Sequence, residues 1–221
     1  EAVPFLTPFI GRSFGTSRLD VVIGYEGLDR PFLATRGLRA MVGGELVGGA
    51  LGGDVSLARL RGRLRRVLPL DGASRRHLMV VAGGAEAVWP FGTTKKAGLP
   101  RFERLFLGGE DDLRGFPVRG VGPRGTGDVV VGGDRLLFAS IEYQYVATTD
   151  LRLVGFFDLG NVYASDQRGL ELPVVRYDAG GELQVRIPVG NLPLRVGYGL
   201  NLDRLPDEPR GRFYLALTAR L

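Results

Sequence analysis

Side chains along this chain change character at every second residue, the signature of strands with two unlike faces. Between residues 136 and 146, Ser140, Glu142 and Gln144 alternate with Leu137, Ala139, Ile141, Tyr143 and Tyr145. Between 151 and 163, Arg152 and Asp158 alternate with Leu153, Phe157, Leu159 and Tyr163. Between 174 and 187, Arg176, Asp178, Glu182, Gln184 and Arg186 oppose Tyr177, Leu183, Val185 and Ile187. Two further segments follow the same plan: Arg195 and Asn201 against Leu194, Val196, Tyr198 and Leu200, then Arg212, Tyr214, Thr218 and Arg220 against Phe213, Leu215, Leu217 and Leu221. In the first half, Arg18, Asp20 and Glu26 oppose Leu19, Val21, Ile23 and Tyr25, while Arg39 and Glu45 oppose Leu38, Ala40, Val42 and Leu46. The strongest case is Arg59, Arg61, Arg63 and Arg65 against Ala58, Leu60, Gly62 and Leu64. A weaker segment at 77–90, with Glu86 opposite Met79, Val81 and Trp89, and another near 3–13 bring the expected total to about ten strands.

The connections predict antiparallel pairing and a sorted pair of rims. Tight turns fall near 71–75, 147–150 and 189–191, whereas the links at 91–134, 165–173 and 202–211 are long and polar. Short turns on one rim and long loops on the other are the habit of outer-membrane barrels. A soluble sheet with its apolar face turned inward is the competing reading of the alternation alone. Against it stands the composition of the polar face, which carries arginines with Asp and Glu, as an enclosed and ion-paired lumen would. The apolar face carries tyrosines and a tryptophan near strand ends, where aromatic girdles meet the lipid interface.

Composition narrows the picture further. The 221 residues include 35 Gly and 13 Pro, yet 44% are apolar, which argues for a folded chain. Every apolar run is broken before the roughly 18 residues a spanning helix needs, while a spanning strand needs only about 10. With no Cys and a single His, His77, thiolate chemistry and His-pair metal sites are excluded, and His77 reads as structural. The net charge of +5 raises the question of nucleic acid. The arginine stripe at 59–65 has no interleaved aromatic platform, however, and the acidic residues of neighbouring strands can pair with it. Asp111 and Asp112 lie in a polar loop and read as solvated, and "GGAEA" and "VGGALGGD" lack the GK[ST] of a phosphate loop. Neither a catalytic constellation nor a cofactor site is expected.

The most specific segment is Pro100 to Arg124, "PRFERLFLGGEDDLRGFPVRGVGPR". Its ordered Gly108 and Gly109, then Arg114, Gly115 and Phe116, then Gly122, Pro123 and Arg124 resemble the signature loop of the BamA/TamA-type outer-membrane assembly superfamily, also called the bacterial surface antigen family. Four other segments resemble the same family: "RPFLATRGLRAMVGGEL" from Arg30, "FFDLGNVY" from Phe156, "LQVRIPVGNLPLRVGYGL" from Leu183 and "GRFYLALTARL" from Gly211. The last is similar to the family's terminal assembly signal, carried here by Gly211, Phe213, Leu215 and Leu221. It departs in ending on Leu221, where the family usually has an aromatic residue.

The resemblance implies an all-β, antiparallel transmembrane barrel domain over residues 1–221, with its long signature loop at 91–134. About ten strands match the last ten of a sixteen-stranded pattern, so the chain is expected to be the C-terminal part of such a barrel or a reduced barrel. The loop is expected to fold into the lumen, with Arg114 held by carboxylates that map to Glu142 and Asp158. Gly115 would let the chain pass close to the wall, and Phe116 would pack beneath it. The implied location is the outer membrane of a Gram-negative-type bacterium. The implied activity is insertion or folding of other outer-membrane proteins, with a secretion pore or passive membrane anchor as the alternative. Expected partners are outer-membrane lipids, unfolded outer-membrane proteins, and accessory assembly lipoproteins or a second copy of the chain.

Overall fold

In the computed structural model, residues 13–165, 175–187 and 193–217 are described. They form one sheet of nine antiparallel strands in sequence order: β1 (Arg18–Glu26), β2 (Gly37–Val47), β3 (Leu57–Pro69), β4 (His77–Pro90), β5 (Arg135–Val146), β6 (Leu151–Tyr163), β7 (Arg176–Arg186), β8 (Pro193–Asn201) and β9 (Gly211–Leu217). Each is one of the segments picked out by alternation. The expected tenth, near 3–13, lies outside the described residues, as do the turn at 189–191, most of the link at 165–173, and Leu221. Among the described residues the sheet is not closed: β1 and β9 are its two edges. No helix among them is long and apolar enough to cross a membrane.

Burial runs opposite to that of a soluble sheet. On β5, Ser140, Glu142 and Gln144 are buried while Leu137, Ile141 and Tyr143 are exposed. On β6 and β7, Arg152, Asp158, Asp178 and Glu182 are buried, whereas Leu153, Phe157, Tyr177 and Leu183 are not. On β8 and β9, Arg195 and Tyr214 are buried and Tyr198, Phe213 and Leu215 stand out. Such a surface is stable where its surroundings are hydrocarbon and its charges face a partnered interior. His77 sits at the short-turn end of β4, where its Nδ1 and the Tyr143 hydroxyl share a hydrogen bond of 2.5 Å beside the Tyr145 ring.

The inner face is tiered. At the long-link rim, Val47, Leu57, Val88, Leu136, Phe138 and Val162 from five strands form one apolar cluster with loop residues Leu107, Leu113, Phe116 and Val121. At the short-turn rim, Val67, Leu78 and Val80 pack on Ala34 of the β1–β2 link. Charged residues occupy the middle. The lumenal side is therefore not uniformly wet, as the polar parity suggested. Strict alternation holds only at mid-strand, because the loop lays an apolar underside on one end of the wall.

An arginine on the outer face at mid-strand tests this orientation. Ile141→Arg should cost about 2–4 kcal/mol in denaturant unfolding from lipid vesicles. An unchanged midpoint would mean that the face does not meet hydrocarbon.

Candidate functional site: a loop docked on the lumenal wall

The link between β4 and β5 leaves the rim through a short helix, α1 (Gly92–Ala97), and then doubles back as a narrow hairpin. Leu107 and Val121 exchange backbone hydrogen bonds of 3.2 and 2.9 Å at its mouth. Gly108 and Gly109 both have positive φ, +106° and +128°, which places the turn where a side chain would be strained. Asp112 accepts the N–H groups of Gly108 (2.7 Å) and Leu113 (2.6 Å). It is a structural turn residue rather than a solvated carboxylate, because its side chain satisfies donors that the tight tip leaves over. Asp111 is exposed and reaches Arg195 at 3.5 Å.

The tip delivers Arg114 to the inner wall, where the side chain has 0% exposure. Its Nε donates to Asp158 Oδ2 and its Nη2 to Asp158 Oδ1, both at 2.8 Å, a bidentate pair. Nη1 lies 3.0 Å from Glu142 Oε1 and 3.7 Å from Glu182 Oε2. Ser140 Oγ accepts from Nη2 at 3.2 Å and donates to Asp158 at 2.5 Å, and the guanidinium stacks 3.5 Å from the Phe156 ring centroid. Three carboxylates from β5, β6 and β7 thus converge on one loop arginine. The next residue, Gly115, meets Gly199 of β8: a Cβ on Gly199 would fall 2.6 Å from the Gly115 nitrogen, and one on Gly115 would fall 2.7 Å from the Asp178 side chain and 3.0 Å from the Leu200 backbone. Only two glycines allow the loop backbone to touch the wall there. Phe116 is fully buried in the apolar tier, with the Arg176 guanidinium 5.0 Å from its ring centroid.

Glu142 and Asp158 were legible from the resemblance; Glu182 was not, although its inward parity was. Glu182 links the loop to the last strand. It accepts from Arg195 Nη2 (2.9 Å) and from the Tyr214 hydroxyl of β9 (2.6 Å). Between Glu182 and Tyr214 in the register lies Gly197. A Cβ at Gly197 would fall 2.4 Å from the tyrosine ring, so the phenol crosses the strand through the space this glycine leaves. Of the terminal-strand residues picked out from the sequence, Gly211 begins β9, while Phe213 and Leu215 point outward and do not join this cluster.

The loop is also held at its start and end. Glu103, buried in a 3₁₀ turn, accepts from Arg59 (2.8 Å) and Arg18 (2.5 Å), both of which also reach Glu45. The arginine stripe therefore pairs with its own loop as well as with neighbouring strands: Arg59 with Glu86 and Arg61 with Asp20. At the far end, Arg124 of the loop and Arg176 both pair with Glu208 in the β8–β9 link. Burial alone would raise the Glu208 carboxyl, but Arg176, the Leu205 N–H and Asn201 together hold it below its ordinary range. Glu110 is likewise held low, first by its own backbone N–H and, against the cost of burial, by Arg212. No cluster of metal-binding side chains occurs among the described residues.

Residues 11–220 match the Omp85 superfamily domain. The chain belongs to the Omp85 superfamily. Its assembly factors and relatives are proteins of the Gram-negative outer membrane, and that is where this chain resides. Over 123 residues it is 36% identical to the outer membrane protein assembly factor BamA of Nitratidesulfovibrio vulgaris, a match covering 54% of this chain and 15% of that relative's length. The crystal structure of BamA from Haemophilus ducreyi lacking POTRA domains 1–3 shares the fold with a TM-score of 0.73 at 22% identity. That likeness covers 89% of this chain and 41% of the other. The chain thus spans well under half of the relatives it resembles.

Two substitutions separate the contributions at this Omp85 site. Arg114→Ala leaves three buried carboxylates facing one another without their cation and should cost about 3–5 kcal/mol in unfolding free energy. Tyr214→Phe removes one hydrogen bond to a carboxylate and should cost about 1.5–3 kcal/mol. Denaturant midpoints of the folded protein in micelles check both, and a loss for Tyr214→Phe as large as that for Arg114→Ala would contradict the assignment of the cation as the centre.

Proposed function

We propose that this chain is the lumen-filling wall of an outer-membrane barrel that folds and inserts other outer-membrane proteins. The observation that carries the reading is the tie from the loop to the last strand: Arg114 and Tyr214 meet on Glu182. Among the described residues β9 pairs on one side only, so its other edge offers unpaired backbone groups. An incoming strand of an unfolded outer-membrane protein can satisfy those groups by β-augmentation. The docked loop then acts as a scaffold. It holds β5–β8 in one arrangement through ion pairs, and through Glu182 it sets the position of the edge strand. It performs no covalent chemistry.

The filled inner face supports this reading over a secretion pore. Leu107, Leu113, Arg114 and Phe116 lie on the wall with almost no exposure, where a conduit would need water. The Nitratidesulfovibrio relative, an outer membrane protein assembly factor, points the same way. Partners in this reading are unfolded outer-membrane proteins, the surrounding lipids, and accessory lipoproteins or a second copy of the chain.

Replacing the chromosomal copy by the full-length gene carrying Arg114→Ala tests the scaffold role. Other outer-membrane barrels should fall severalfold in their folded, heat-modifiable form while the variant itself is still found in the membrane. Unchanged levels of folded barrels with a stably inserted variant would refute the proposal.

A further inference from the structure

At the short-turn end of the inner face, below the Arg114 cluster, lies a cavity of about 40 Å³. Among the described residues four arginines line it, Arg39 of β2, Arg65 of β3, Arg152 of β6 and Arg195 of β8, and no carboxylate does. Gln184 and the β1–β2 link complete the wall. Three of these arginines meet a carboxylate away from the cavity: Arg39 meets Glu26, Arg65 meets Glu142 and Arg195 meets Glu182. Glu142 and Glu182 are already shared with Arg114.

Arg152 differs from the others. It is 3% exposed, and no ion pair to it exists among the described residues. Its Nη1 donates to Ala34 O (2.9 Å) and Gln144 Oε1 (3.0 Å) and its Nη2 to Leu33 O, all neutral acceptors, while its buried Nε has no acceptor. Among the described residues Arg39 donates through its Nε to Glu26, and its two terminal nitrogens make no hydrogen bond. A buried guanidinium with no direct ion pair is unfavourable, and the positive charges of Arg39, Arg65 and Arg195 line the same cavity.

We propose that this cavity binds a small free oxyanion of the phosphate or sulfate class. Guanidinium forks match tetrahedral oxyanions bidentately, and the side chains of Arg39 and Arg152 line the same space. The volume is larger than one water needs and suits an ion of a few heavy atoms. Because Arg152 also holds the carbonyls of Leu33 and Ala34, the bound ion would fasten the β1–β2 link across the short-turn mouth of the lumen. This inference is independent of the insertion activity proposed above.

The test uses the full-length protein in phosphate-free, non-ionic detergent, titrated with inorganic phosphate at constant ionic strength and followed by ³¹P linewidth and by thermal midpoint. Saturable binding in or below the low-millimolar range is expected, with sulfate competing and chloride not. Arg152→Met and Arg39→Gln should each weaken binding at least about tenfold, and Arg204→Gln, in the exposed β8–β9 link, should leave it unchanged. Arg39→Gln does not touch the link carbonyls, so it remains informative if Arg152→Met fails to fold. Absence of saturation, equal competition by chloride, or unchanged binding in Arg39→Gln would overturn the proposal. Binding of glycerol 3-phosphate but not of inorganic phosphate would overturn it too, by assigning the cavity to a lipid headgroup.

Discussion

An arginine carried on a loop and buried against three carboxylates sets the conditions that the rest of this structure meets. Withdrawing a guanidinium from water is costly, and the cost is offset only if nearly every N–H finds a charged or aromatic partner. Asp158 takes two of them, Glu142 and Glu182 lie beside Nη1, Ser140 takes a further one, and Phe156 covers the face. None of those carboxylates could be buried so deeply without the arginine. Loop and wall are therefore each other's counter-ion.

The same loop carries charge of the opposite sign to the other half of the sheet. Glu103 meets Arg18 and Arg59 of β1 and β3, whereas Arg114 meets the acidic positions of β5–β7. One segment therefore ties together an arginine-rich half and a carboxylate-rich half of the sheet. Between these pins the apolar underside of the loop covers Val88, Phe138 and Val162. Burial of that surface is non-directional; the ion pairs supply the register. Arg152 and its neighbours extend this electrostatic arrangement towards the short-turn rim, where four arginines and, among the described residues, no carboxylate line one cavity.

Through Glu182 the docking reaches β9. The Tyr214 ring crosses β8 over Gly197 to bond a carboxylate that also faces the loop arginine. An edge strand fastened from inside by a side chain, rather than by a neighbour's backbone, can keep its outer edge unpaired and still hold its place. That combination is what the proposed role as a template for incoming strands requires.

Much of this was legible in the chain itself. Strand positions follow from a period of two, because a strand places alternate side chains on opposite faces whatever it packs against; antiparallel order came from the connections, and the outward turn of the apolar face from the charged composition of the opposite parity. The signature around Arg114, with Glu142 and Asp158 on the polar parity, was readable through the family resemblance. Glu182, Tyr214, Gly197 and Glu103 were not, nor was the cavity between Arg39 and Arg152. Their meeting depends on how far the loop descends and on which strands end up facing one another across the lumen. Parity determines which face a side chain occupies; only the closing of the loop onto the wall decides which charge, hydroxyl or missing side chain it meets there, since those neighbours lie tens of residues apart in sequence.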